Sequence, residues 1–425
     1  MLKIPNSNLK LILFGCCFIL SLAPIGIETD ISWNISNLLN LFRLFIPILI
    51  FLLLLIFYYK KLMIKKFKDN FFIFIYFLII FIATLLNLQN FKDINKLLLP
   101  FYCVNYIFLS LLMLNIYDFK KQFNKFIFLQ FIIITGLTTF TLLNFFYSFL
   151  NLNLADFYNL KLENNFYNQN SNGLSRILLI ISLFIFFINQ KNNYLYFSCI
   201  IINTLIILLQ SKLVIFFLFF LILGKILFEK TVIKKKAKQI LCILALPILI
   251  SFLISTMNAN ETGIKMRFIQ ETKEDLNNMH LNQKLDIKIF TGLKTRIDTW
   301  KEILNNSKKP LIGYGAQADK YLTKNLPSHT RLASNSLIYS YACAGLLGVV
   351  TLIIIYYNLL KLLCGVAILN NKKNKLNNLQ IFFAVVLFFL IIRSIVENSF
   401  ALWGIDFILM VNTYLALKNS FTKKI

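Results

Sequence analysis

Apolar runs long enough to cross a bilayer recur along this chain, and no other feature limits its fold so severely. A span needs about 20 apolar residues. Runs of that kind cover 11–27, 40–58, 71–88, 97–116, 126–149, 173–189, 194–210, 213–228, 239–257, 336–360, 379–393 and 401–417. In lipid every backbone polar group must be satisfied within the protein, so each run reads as a helix. The expected fold is all-α and polytopic, with about twelve transmembrane helices. Ser211 and Lys212 alone separate two of the runs, which form either a tight outer turn or one broken helix.

Composition agrees. Hydrophobic residues make up 58% of the 425, charged residues only 15%, and mean hydropathy is +0.71. A soluble domain carries about 25% charged residues. The first run follows Lys3 and Lys10 without a clean small-residue cleavage pattern, so it reads as the first span and not as a cleavable signal. All seven cysteines lie in apolar runs without paired metal-ligand spacing, so neither a disulfide framework nor a metal site is expected.

The net charge of +26 resembles a nucleic-acid signal, but its distribution speaks against one. Basic residues crowd into alternate short loops, among them Lys60–Lys68, Lys120–Lys125, Lys230–Lys238 and Lys372–Lys375, and into the tail at Lys418, Lys423 and Lys424. That side holds roughly 24 basic residues against roughly 7 in the opposite short loops, and the richer side faces the cytoplasm. With an even number of spans both termini are cytoplasmic. Residues 1–257 then form the first nine spans, 258–335 a long outer loop or cap, and 336–425 the last three. The cap is of ordinary complexity, with helical-looking stretches around 270–281 and 295–305, and long ordered loops are usually functional.

Charge at membrane depth is costly and marks function by default. Arg176, Lys212, Arg393, Glu397 and Asp406 meet that test, all toward the outer surface. Each has a structural alternative. Arg176 and Arg393 could snorkel to head groups and Lys212 could anchor at the interface. Glu397 could pair with Arg393 to hold a turn, and Asp406 could belong to a buried pair. In the cap, Arg296 and Trp300 share a helical face at i and i+4. His329 and Arg331 lie just before Asn335, where the next span begins, whereas His280 has no partner pattern. Arginine suits phosphate through planar paired donors, lysine adds a point charge, and histidine is the commonest base toward a hydroxyl. The residues by themselves indicate an outer-face site for an anionic ligand.

The stretch from Arg296 to Gly348 resembles the hallmark segment of the O-antigen ligase and O-antigen polymerase (Wzy-type) superfamily. It reads Arg-x-x-x-Trp, then Pro310-Leu-Ile-Gly-Tyr-Gly315, then Ala333-Ser-Asn-Ser-Leu-Ile-Tyr-Ser-Tyr-Ala-Cys-Ala-Gly-Leu-Leu-Gly348. Arg393-Ser-Ile-Val-Glu-Asn-Ser-Phe400 with Asp406 is similar to the family's C-terminal signature, and Asn172-Gly-Leu-Ser-Arg176 and Ser211-Lys212 are weaker echoes. The resemblance implies a bacterial inner-membrane glycosyltransferase. Such an enzyme takes an oligosaccharide from undecaprenyl diphosphate on the periplasmic side, without metal or nucleotide. A polymerase passes it to another lipid-linked repeat unit, with a flippase and a chain-length regulator as partners, and a ligase passes it to lipid A–core. Ser334 stands where ligases carry a histidine, and Lys212 where the family carries an arginine; the Ala-Ser-Asn form is closer to polymerases. On this reading His329 as base and Arg296 at the diphosphate are the catalytic candidates. Arg176, Lys212, Arg331, Asn335, Arg393, Glu397 and Asp406 are the substrate-binding ones. The rival from another class is a flippase or transporter of the same lipid-linked glycan.

Overall fold

The computed structural model describes residues 14–19, 45–53, 56, 71–87, 105–111, 113–114, 123–149, 171–188, 193–208, 211–228, 241–259, 291–324, 326, 333–371, 376–397 and 405–421. Among these residues the only regular secondary structure is helical. The main helices are α1 (Phe71–Leu86), α2 (Phe123–Phe149), α3 (Ser171–Ile188), α4 (Asn193–Leu208), α5 (Lys212–Phe228), α6 (Leu246–Ala259), α7 (Thr291–Asn306), α8 (Ala318–Leu322), α9 (Ser336–Asn371), α10 (Asn378–Val396) and α11 (Ile405–Phe421). Nine expected apolar runs therefore coincide with helices, although α9 continues past the expected end at 360 to Asn371 and α6 begins only at Leu246 after a π-helical turn, and the runs at 194–210 and 213–228 are two separate helices. The helical stretch expected at 295–305 is α7, and the one at 270–281 lies outside the described residues.

Two described segments have both the length and the apolar composition to cross a membrane, Ser336–Ile368 and Asn378–Ile395. Shorter apolar helices lie at Phe71–Leu86, Phe123–Thr139, Leu174–Phe187, Phe197–Leu208, Leu213–Leu223 and Ile243–Leu253. On α9 large apolar side chains stay exposed at Leu346, Val350, Ile353, Tyr357 and Leu360, one stripe at helical spacing. Exposed residues of the same kind cover α1, including Phe71, Leu78, Phe81 and Leu85.

The chain divides into two compact units, and the division falls within α2 at Gln130. The first holds α1, the start of α2, and α7 to α11. In it α1 packs along α9, and α10 packs on both α9 and α11. α11 is the most enclosed helix, with Asp406, Asn412 and Thr413 buried beside its apolar residues. Two of its polar side chains find partners in different ways: Thr413 Oγ1 donates back to the Leu409 carbonyl of its own helix at 2.6 Å, and Asn412 Nδ2 donates to Gln130 Oε1 of α2 at 3.4 Å. Asn377 starts α10 with a capping box. Its side chain accepts from Gln380 N–H at 2.8 Å, while Gln380 Oε1 accepts from the Asn377 N–H at 3.1 Å.

In the second unit α4 packs against α3 and α6, and α5 packs against α3 and α4. A π-helical turn, Leu241–Ala245, leads into α6. The cause is legible: residue 247 is proline, so the Ile243 carbonyl has no N–H four residues on to accept from. Asn203 of α4 supplies the missing donor at 2.8 Å, and its Oδ1 accepts from Ser182 Oγ of α3 at 2.6 Å. A proline defect on one helix is thus repaired by a buried amide from another.

Candidate functional site

The cap segment 307–317 holds two glycines that the sequence marks as a turn, and their purpose lies in α9. Gly345 has φ 62° and ψ −157°, a backbone conformation that breaks the helix. A continuous helix would bond Leu346 N–H to the Ala342 carbonyl and Leu347 N–H to the Cys343 carbonyl. The loop takes all four groups instead. Tyr314 N–H donates to Ala342 O at 3.0 Å and Gly315 N–H to Cys343 O at 2.8 Å. Leu346 N–H donates to Pro310 O at 2.8 Å and Leu347 N–H to Leu311 O at 3.3 Å. The break leaves none of these four groups orphaned, as a buried helix interruption requires.

Only glycine fits the three contact points. A Cβ on Gly313 would lie 2.6 Å from Ala344 N, one on Gly315 would lie 2.5 Å from Thr84 Cα, and one on Gly345 would lie 2.4 Å from Leu311 C. All three have positive φ. The loop is also tied to the C-terminal end of α1. Ala316 N–H donates to Thr84 Oγ1 at 2.9 Å, Asn87 Nδ2 reaches Gly313 O at 3.3 Å, and Lys309 Nζ donates to Asn87 Oδ1 at 2.6 Å. Lys309 also lies 5.6 Å above the Tyr314 ring.

Three expected site residues come together at the junction of α10 and α11. Arg393 sends one arm to Asp406 and the other to Glu397. Arg393 and Asp406 are buried, and Glu397 is partly exposed. Both structural alternatives are therefore realised: Glu397 pairs with Arg393, and Asp406 belongs to a buried pair. One guanidinium faces two carboxylates, so the trio carries a formal charge of −1 and is tied up in its own network. Asp406 lies in the first turn of α11, less deep than the start of the apolar run suggests.

Asn335 joins the same region. Its Oδ1 accepts from Leu337 N–H at 2.8 Å and Ile338 N–H at 3.2 Å, which caps α9. Its Nδ2 donates to the Ile395 carbonyl at 2.8 Å, which ties the start of α9 to the end of α10. Arg296 is half-buried on α7, whose inner face contains Thr299 and Ile303. Arg176 is half-buried on α3, and Lys212 opens α5; both belong to the second unit. His329, Arg331 and His280 lie outside the described residues. Among the described residues no group of three His, Cys, Asp or Glu side chains could hold a metal ion.

Sequence reasoning passes over Asp319. This residue is fully buried on α8, with Oδ2 accepting from Ala333 N–H at 3.1 Å. Burial pushes its carboxyl above the usual range, against the opposing pull of the Ala333 N–H and of Lys320. Nothing in its sequence context, a short polar stretch between Gly315 and Leu322, announces a buried acid. No protein-family model matches the chain, and no curated protein aligns with it significantly.

Proposed function

We propose that this chain is a multi-pass inner-membrane glycosyltransferase that polymerises undecaprenyl-diphosphate-linked oligosaccharide repeat units of a surface polysaccharide. About twelve helices would cross the bilayer, both termini would be cytoplasmic, and the 258–335 cap would meet its substrate from the periplasm. One observation carries the reading. The two halves of the hallmark segment, Pro310–Gly315 and Ala342–Leu347, bond one another across a helix break. Motifs separate in sequence thus form one device, as a shared functional segment should. The exposed apolar stripes on α1 and α9 support lipid contact, since water-facing surfaces rarely present such areas.

In the proposed reaction an acceptor sugar hydroxyl attacks the anomeric carbon of the donor. The new carbon–oxygen bond forms as the bond from that carbon to the diphosphate oxygen breaks, and the diphosphate leaves with the electron pair. His329 takes the hydroxyl proton and releases it to solvent. Arg296, aided by Arg331, neutralises charge growing on the leaving group. Asn335 and the Arg393–Glu397–Asp406 network hold the outer ends of α9, α10 and α11 around the cavity. A ligase that delivers the glycan to lipid A–core is the near alternative.

Arg296→Ala tests this reading in cells, with surface polysaccharide run on a gel. Collapse of the ladder to a single repeat unit supports polymerase, and loss of all attached glycan supports ligase. An unchanged ladder at normal protein level refutes the assignment. A flippase is the second reading, favoured by the broken α9, because transporters use interrupted helices to coordinate substrate. The freed groups of α9 are, however, spent on the loop, which leaves none of these four for a ligand. Purified protein with lipid-linked repeat units separates the two: elongated product means transferase, and translocation alone means flippase.

A further inference from the structure

At Gly345 α9 does not merely break; it doubles back. Ser340 and Gly348 are eight positions apart, about 12 Å in a straight helix. Here a Cβ on Gly348 would lie 2.9 Å from Ser340 Oγ and 3.0 Å from the Ser340 carbonyl oxygen. Farther from the break, the Tyr356 hydroxyl bonds to Ser336 as well as to Ser394, the latter at 2.5 Å. The arms 336–344 and 346–371 thus form a hairpin with Gly345 at its tip. The short arm is packed inside the protein, with Ser336, Tyr339, Ser340 and Cys343 buried.

The molecular surface changes character at that tip. Just before it, α7 exposes Asp298, Lys301 and Asn305 along one stripe. The docked loop then exposes Lys308 and Lys309, followed by Leu311 at 62% and Ile312 at 38%. Leu346 and Leu347 bond to the carbonyls of Pro310 and Leu311, which brings the apolar part of the loop beside the exposed Leu346, Leu347 and Val350 of the long arm. α1 ends at the same level through the bond of Thr84 to Ala316, and it exposes Leu85 and Leu86 there. Lengths agree with a boundary at this point. The apolar stretch Ser336–Ile368 has 33 residues, about 50 Å if straight, against a hydrocarbon core of about 30 Å. Counted from the tip, 346–368 rises about 34 Å, which fits that core.

We propose that the hairpin tip and its docked loop are sunk into the outer leaflet, with Leu311, Ile312, Leu346, Leu347 and Val350 against lipid acyl chains and Lys308 and Lys309 at the head-group phosphates. Lipid suits this face because cations stand at its polar edge and apolar side chains beyond them, the order that phosphate over hydrocarbon requires. Lys309 donates to Asn87 and, as an ammonium, keeps further donors for a phosphate. The short arm is then a re-entrant half-helix walled off by protein, as irregular backbone at membrane depth must be. Ser394 bonds Tyr356, ten residues beyond Leu346, so the neighbouring Arg393 network lies about 15 Å below the lipid surface, at the floor of a recess. This inference rests on the membrane-spanning part of the reading above and not on its glycan chemistry.

Spin-label accessibility tests it in the full-length protein, freed of its native cysteines and reconstituted in vesicles of phosphatidylcholine and phosphatidylglycerol. Nitroxides are attached singly to cysteines replacing Leu311, Val350, Leu360 or Lys301, all exposed, so that the labels leave the packing undisturbed. Dissolved oxygen concentrates in lipid, and a neutral nickel chelate stays in water. Labels at Leu311, Val350 and Leu360 should collide several-fold more with oxygen than with the chelate, and the label at Lys301 should show the reverse. If the chelate dominates at Leu311 or Val350 while oxygen dominates at Leu360, the hairpin stands in water above a spanning helix. That result overturns the inference and leaves the membrane reading intact. Dominance of the chelate at Leu360 as well would overturn both. Few collisions with either reagent at Leu311 would reveal a protein partner in place of lipid, and oxygen dominance at Lys301 would remove the boundary; either outcome overturns the inference.

Discussion

Replacing Gly345 with alanine asks whether the break in α9 and the docked loop are one device. The φ/ψ pair at Gly345 lies in a region open essentially to glycine alone, and a side chain there costs about 1–3 kcal/mol. The new Cβ would also lie 2.4 Å from Leu311 C and O and 2.6 Å from Ile312 N, all backbone atoms of the loop. The way out is for α9 to straighten and expel the loop. Straightening restores two helix bonds but forfeits four loop bonds, a net loss of two at about 1 kcal/mol each. That loss of about 2 kcal/mol holds the loop down in the native protein. The alanine strain of about 1–3 kcal/mol and the backbone clash act against the docked state, so the substitution shifts the balance toward opening by at least that strain. The assay is maleimide labelling of a cysteine placed at Ala316, which is 2% exposed, in a background freed of the seven native cysteines. Labelling should be slow with the native Gly345 and fast in the Gly345→Ala variant. Gly365→Ala is the control: it lies in the same helix, its Cβ meets nothing within 4 Å, and the change should stabilise by about 0.5–1 kcal/mol without opening the loop. Equal labelling rates with glycine and alanine at position 345, at unchanged thermal stability, would refute the coupling.

Two further outcomes follow from buried polar groups. Asn203→Ala should destabilise the second unit by about 1–3 kcal/mol, because it strips the donor from the Ile243 carbonyl. Pro247→Ala restores an N–H at the right spacing, so the double variant should recover part of that loss in a thermal-unfolding cycle; strict additivity would rule the repair out. Asp319→Asn should flatten the pH dependence of thermal stability in detergent. The folded carboxyl holds its proton above the ordinary value, so between that value and the raised one the folded state binds a proton that the unfolded state has lost, and stability falls as pH rises. Asparagine can still accept from Ala333 N–H and has no proton to lose, so wild type and variant sharing one slope across that window would contradict the assignment.

Helix positions were legible in the residues because lipid-scale apolar runs have one economical backbone solution. The pairing of Glu397 with Arg393 was open to sequence because four residues separate them on one helix. Asp406 was harder, since its partner sits across a helix junction. Asp319 was not legible at all, for burial is a property of what surrounds a residue and not of the residue. The role of Asn335 shifted likewise: sequence marks its place before a span, while its bond to Ile395 depends on where α10 ends.

What the amino-acid order alone determined is the number and length of the apolar segments, the uneven placement of lysine between them, and the glycines at 313, 315 and 345 that are free to leave ordinary backbone geometry. What only the tertiary structure decided is which groups answer one another: the loop carbonyls and amides for the break in α9, Asn203 for the proline in α6, two carboxylates for one arginine. The reason is physical. Hydrophobicity and backbone preference act on each residue or its near neighbours, whereas satisfying a buried polar group is a pairwise condition between residues that only folding brings within about 3 Å.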